Sequence, residues 1–265
     1  MNLYRHELRS LTKSTVIWTL SIIALAGIYF AVYPSVAQDA GEFKKLLEGY
    51  PEKIRAMLNL SVDNLSSVLG FYAMMFGFVL LCGAIQAMNF GASVLSKEAR
   101  ERTADFLLVK PVSRAKIISM KILAAVTMLA VTNAVYYGAA VCMANAATTE
   151  HYSGRQFFLI NAGLFFTQMI FFFLGLAVSV FFRKLKSVLP VTLGIVFGLY
   201  ILGTLVVTDN SDKVRILFPL RYINVNYIIR HTGYEQAYLI AGAVIIAASV
   251  VASYAVYTKK DIHAV

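Results

Sequence analysis

Apolar residues run along this chain in six long, unbroken blocks, each bounded by short stretches where charged and polar residues crowd together. The blocks fall near residues 16–36, 68–95, 117–143, 157–182, 188–207 and 237–257. A helix needs about 20 mostly apolar residues to cross roughly 30 Å of hydrocarbon while satisfying its own backbone, and each block meets that length. The runs are continuous rather than alternating, a pattern that speaks against a membrane β-barrel. The expectation is an all-α, polytopic membrane protein with six transmembrane helices. No internal period of repeat length recurs, and no stretch between the blocks could fold as a separate soluble domain, so residues 1–265 read as one transmembrane domain.

Composition agrees with this pattern. The 265 residues are 59% hydrophobic and 14% charged, against about 45–50% and about 25% in soluble domains. The formal net charge of +10 acquires a meaning once it is placed on the spans. With both termini inside, the inner segments hold fourteen basic and five acidic residues, and the outer segments hold nine of each. Basic residues are retained on the cytoplasmic side, so this asymmetry sets the orientation and leaves no excess for a nucleic-acid partner. The expected location is a cell membrane, most simply a bacterial plasma membrane. A cleaved secretory signal is the rival reading of the N terminus, because Ser35-Val36-Ala37 resembles a small-x-small cleavage site. The first apolar run, however, exceeds the roughly 7–15 residues of a signal core.

Three segments outside the spans are amphipathic. Residues 1–15 combine Leu3, Leu8 and Leu11 with Arg5, Arg9 and Lys13, as in a short helix lying on the inner surface, or simply a basic topology anchor. Residues 41–60 place Phe43, Leu46 and Leu47, then Ile54, Met57 and Leu58, at helical spacing on either side of Pro51, which predicts an outer pair of surface helices. Between the fifth and sixth spans, Arg215, Arg221 and Arg230 alternate with Phe218, Tyr222 and Tyr227. That mixture suits the aromatic and headgroup level, either as a plain interfacial segment or as a gate at an outer exit.

Polar residues within the spans are few: Gln86, Asn89, Lys121, Asn133, Asn161 and Gln168. The amides are expected to join helices, and Lys121, one turn inside its span, is expected to snorkel to the headgroups. Gly194 and Gly198 form a Gly-x-x-x-Gly, a helix-packing motif that would suit a dimer seam. Cys82 and Cys142 lie inside spans, with neither a Cys-x-x-Cys nor a Cys/His cluster to suggest a disulfide framework or a metal site.

The inner segment 96–116, SKEARERTADFLLVKPVSRAK, carries nine charges between two spans. Its first half fits a short amphipathic helix that Pro111 stops. One helix cannot cover all of Phe106-Leu107-Leu108-Val109, so this surface meets either lipid or a cytoplasmic protein, and the neighbouring charges oppose deep lipid burial. A plain solvated loop is the alternative, since charged inner loops are expected from topology alone.

The run from Glu98-Ala-Arg-Glu-Arg-Thr103 through Leu107-Leu108-Val109-Lys110-Pro111-Val112-Ser113-Arg114, with a later Lys121, resembles the inner loop of type-2 ABC transport permeases, the membrane subunits of ATP-binding-cassette exporters. In that family a glycine stands where this chain has Arg102. The resemblance implies a coupling helix docked into a groove of a separate cytoplasmic ATPase. Glu98, Arg102 and Thr103 would lie at that interface, Phe106 and Leu107 would be its apolar anchors, and Pro111, Ser113 and Arg114 would shape the return into the third span. It further implies ATP and Mg on the partner rather than on this chain, and a homodimer or heterodimer with a second permease among membrane lipids.

The chain has no phosphate loop of its own. The nearest string, GASVLSKE from Gly91, lacks the second glycine and the terminal hydroxyl residue that would cradle a phosphate. No Gly-x-Ser-x-Gly, His-Glu-x-x-His or paired intramembrane carboxylates point to catalysis. The predicted spans contain no Asp or Glu, which speaks against an ion- or proton-coupled secondary carrier, the alternative transport class. Cargo is the least legible property. Weakly polar spans and aromatic-rich outer segments suit amphipathic peptides or lipid-like molecules; the resemblance adds antimicrobial-peptide export, and relatives also handle ions and copper-related cargo.

Overall fold

A computed structural model describes residues 3–50, 67–101, 113–148, 151–181, 187–206 and 212–259. Within them the chain forms α1 (Leu3–Gln38), α2 (Ala40–Glu48), α3 (Val68–Glu101), α4 (Arg114–Ala147), α5 (Gly154–Phe181), α6 (Val188–Val206), α7 (Asp212–Arg215), a 3₁₀ turn (Pro219–Arg221), α8 (Val225–His231) and α9 (Gln236–Lys259). No strand occurs among the described residues. Six of the helices, α1, α3, α4, α5, α6 and α9, are long and apolar enough to cross a membrane. The second of the two outer helices expected over 41–60 lies outside the described residues; α2 is the first.

The helices outlast their apolar runs because backbone hydrogen bonding, unlike membrane partition, does not stop at the first charge. The second apolar block ends at Leu95, but α3 continues to Glu101, about 9 Å further at ~1.5 Å per residue. The end of the bundle where α1 begins and α9 finishes is called basal below. The 102–112 segment joins α3 to α4 at this end.

α3 is the centre of the bundle, packed most closely on α5 and flanked by α6, α1 and α4. Its partnership with α5 is a backbone-to-backbone approach. A Cβ on Gly91 would overlap the Phe172 carbonyl oxygen, and one on Gly175 would overlap that of Met88. Ala84 and Ala87, fully buried, keep the same face of α3 low. Inside a membrane, where lipid is as apolar as leucine, such small-residue faces supply close van der Waals packing that bulky residues would prevent.

α1 is one continuous helix rather than a separate surface helix followed by a span, but its first turns do leave the bundle direction. Thr19 on α1 meets Thr132 on α4 at 3.0 Å, whereas Tyr4, fifteen residues earlier, meets Thr127, only five residues earlier, at 3.0 Å. Fifteen residues of helix are ~22 Å and five are ~7.5 Å. The arm therefore crosses α4 obliquely. Thr12 and Thr15 donate their hydroxyls to the carbonyls of Leu8 and Leu11 at 2.8 and 2.9 Å, a back-bonding pattern that bends helices. Arg5, Arg9 and Lys13 are exposed along this arm, in register with the exposed Val16, Leu20, Ile28 and Val32 further up the helix.

At the opposite end, residues 212–235 fold back over α5, α6 and α9. Phe218 lies on Gly203 of α6, and Ile223 lies on Gly163 of α5. Arg215 holds this cover in place, as described next.

Candidate functional site

Among the described residues the span amides take part in two polar arrangements, and both join helices as those amides were expected to do. In the first, Gln86 donates to the Thr132 hydroxyl at 2.9 Å, Thr19 donates to the same oxygen at 3.0 Å, and Gln168 donates to Gln86 at 3.2 Å. Asn133 then donates to Gln168. This links α1, α3, α4 and α5. In the second, Tyr72 donates to Asn161 Oδ1 at 2.7 Å, so its oxygen receives the proton of Tyr136 at 2.9 Å. Asn133 Oδ1 is buried without a partner, but the other amides and hydroxyls of the two arrangements pair with one another, which fixes helix rotation because another register would leave them unpaired. Asn89 differs: it is half-buried, on the strip of α3 that also exposes Phe78.

The basal site is built from the ends of α3 and α4. Glu98 lies in the last turn of α3 and Arg114 opens α4. Ser113 is the N-cap of α4: its extended backbone turns the chain, and its hydroxyl accepts from the Lys116 amide at 3.4 Å. Serine is a favoured cap because its oxygen replaces a missing helical acceptor. Arg102, Thr103, Phe106, Leu107 and Pro111 lie outside the described residues.

Lys121 corrects its sequence expectation. It does not snorkel: it is 2% exposed, donates to the Val94 carbonyl at 2.9 Å and lies 3.5 Å from Glu7. A single amine thus touches α3 and α1 from α4. Hydropathy could not reveal this, because a lysine one turn inside a span reads the same whether it reaches out to water or inward to a carbonyl.

Gly194 and Gly198 make no close helix approach within the described chain. A Cβ at either would meet nothing within 4 Å. The close helix approach falls at Gly91 and Gly175 instead, which lie on different helices and form no motif in the linear sequence.

At the far end, Arg215 grips Glu235 with two bonds of 2.8 and 3.0 Å, donates to the carbonyls of Arg221 at 2.8 Å and Tyr222 at 3.4 Å, and lies 4.0 Å above the Tyr238 ring. A planar guanidinium suits this geometry and an ammonium does not. Arg221 reaches back to Thr204 on α6 at 2.6 Å, and burial lowers its pKa. Burial pushes the Tyr234 phenol up to about 12, and its hydroxyl donates to the Leu159 carbonyl of α5. No group of three or more metal-ligating side chains occurs among the described residues.

Six membrane-length helices, tied by internal polar pairs and broken by a charged basal loop, define a multi-pass membrane protein. The chain belongs to the ABC-2 family of transporter proteins, whose description, ABC-2 family transporter protein, matches residues 1–262. Membership makes it a membrane subunit for transport rather than an ATP-hydrolysing component. No curated protein matches it.

Proposed function

We propose that this chain is the permease of an ATP-binding-cassette exporter, driven by a separate cytoplasmic ATPase that binds ATP and Mg and docks on the basal loop. Its termini and that loop face the cytoplasm of a bacterial plasma membrane. The carrying observation is the continuity of α3: one unbroken helix from Val68 to Glu101 joins the loop to the most deeply packed span. A displacement applied at Glu98 therefore reaches the α5 seam without crossing a break, and a close-packed seam transmits strain rather than absorbing it.

In this reading Glu98, Arg102 and Thr103 hold the ATPase electrostatically, while Phe106 and Leu107 fill an apolar groove on it. ATP binding draws two such motors together, and the helices switch between inward and outward exposure as both motor and cargo bias one equilibrium. A second permease, identical or similar, completes the assembly. The uncovered strip of α3 at Phe78 and Asn89 supports that pairing, since an amide facing lipid is unfavourable. So does the open Gly194–Gly198 face of α6. The cargo class that fits a weakly polar interior is an amphipathic peptide, moved outward.

The experiment is copurification of a tagged chain with a candidate cassette ATPase, with and without Glu98→Ala combined with Phe106→Ala. Loss of an apolar anchor and a charge at a docking site is expected to weaken association at least about tenfold, by ~1–2 kcal/mol for each anchor. Undiminished association and ATP-driven transport in the double variant would contradict the assignment.

A further inference from the structure

Lys121 and Glu7 lie where three helices converge on the necks of the basal loop. Val94 is two turns before the end of α3, and Lys121 is two turns after the start of α4. The lysine amine bridges these necks by donating to the Val94 carbonyl at 2.9 Å, and it holds the α1 arm through Glu7 at 3.5 Å. In the regular helix ladder that carbonyl is also the acceptor for the Glu98 amide, so the amine sits on the turn from which the loop departs. The pair is shielded from water, with side chains 2% and 13% exposed, and screening by salt is weak for buried charges. The α1 arm has a second hold on α4 through Tyr4 and Thr127, 3.0 Å apart, but that bond is to α4 alone. Lys121, by contrast, contacts α1 and α3 from α4 with a single amine.

We infer that Lys121 is a positioning residue that makes the two loop necks and the α1 arm move as one body, so that α1 is driven by the loop rather than following it passively. The inference rests on the proposed ATPase coupling and adds a specific output to it. With the amine in place, a push on the loop rotates α3 and α4 together and carries the oblique arm with them. Without it, the necks still move with the motor, but the arm is held only by its side contacts.

The test uses the permease–ATPase complex in nanodiscs, in a Cys82→Ala, Cys142→Ala background, with spin labels on introduced cysteines. One pair joins Lys116, on the exposed base of α4, to Ser187 at the basal start of α6. The other joins Arg9, on the exposed α1 arm, to the same Ser187. Trapping with Mg-ATP and vanadate is expected to change both distances in the parent. In Lys121→Met the Lys116 change persists and the Arg9 change falls by roughly threefold or more, within the range by which coupling residues alter linked states. Lys121→Arg restores it. Glu7→Gln, which leaves the amine its Val94 partner, carries the same test should Lys121→Met fail to fold. An Arg9 change as large as in the parent overturns the inference alone. A parent in which the Lys116 pair ignores nucleotide overturns the functional reading beneath it.

Discussion

Gly91→Leu is expected to force α3 and α5 apart and to cost about 3 kcal/mol or more, at the upper end of the overpacking range, because the obstacle is backbone and cannot rotate away. Where a leucine clashes with a neighbouring side chain, that side chain can adopt another rotamer. Here the nearest atoms are the Phe172 carbonyl and the Leu176 amide, both fixed in the α5 ladder. Relief therefore requires translating a whole helix, which also pulls Gln86, five residues before Gly91, from Gln168, four residues before Phe172. Gly194→Leu is the matched control: with nothing near its Cβ, the change should be neutral or stabilising by up to about 1 kcal/mol in the isolated chain, the gain in helix propensity over glycine. Unfolding titrations in mixed detergent and SDS measure both. Equal stability of the two variants would mean that the α3–α5 approach is looser than described.

Arg215→Ala is expected to release the 212–235 cover while leaving the transmembrane helices folded. The substitution removes two bonds to Glu235, two to carbonyls and the Tyr238 stacking at once. Removing one partner of a buried ion pair costs about 3–5 kcal/mol, and partial exposure of this pair places it at the lower end. Hydrogen exchange should rise by two orders of magnitude or so across residues 219–231, with α3 and α5 protected as before. Arg215→Lys should fall between, since an ammonium cannot make the bidentate grip. Parent-like exchange in Arg215→Ala would show that Phe218 and Ile223, seated on their glycines, hold the cover alone.

The parts of this fold that sequence made legible are those governed by local physics. Six apolar runs are six spans because partition into lipid depends on the residues of one segment. The parts it hid depend on which helix lies opposite. Gly91 and Gly175 are ordinary single glycines until their helices are laid together, whereas Gly194 and Gly198, which form a recognisable spacing, face no helix of this chain. Lys121 was equally opaque, since hydropathy scores its charge and not its direction. The α1 arm fell between the two cases. Its basic and apolar residues signalled a surface position, but continuity with the span depended on Thr12 and Thr15 bending the helix without breaking it. Arg215 lay within a segment whose mixture of arginine and tyrosine marked an interface, with no sign that one arginine would organise the rest.

The central claim is that the basal loop is the handle of a separate motor. Its most direct test is photocrosslinking from a benzophenone amino acid placed at Leu107 in intact cells that produce both chains. The account predicts a single dominant adduct with the cassette ATPase, formed from position 107 and absent when the same probe replaces Leu217, an exposed residue at the far end. An adduct from Leu217 but not Leu107, or labelling of the loop from the cell exterior, would contradict it.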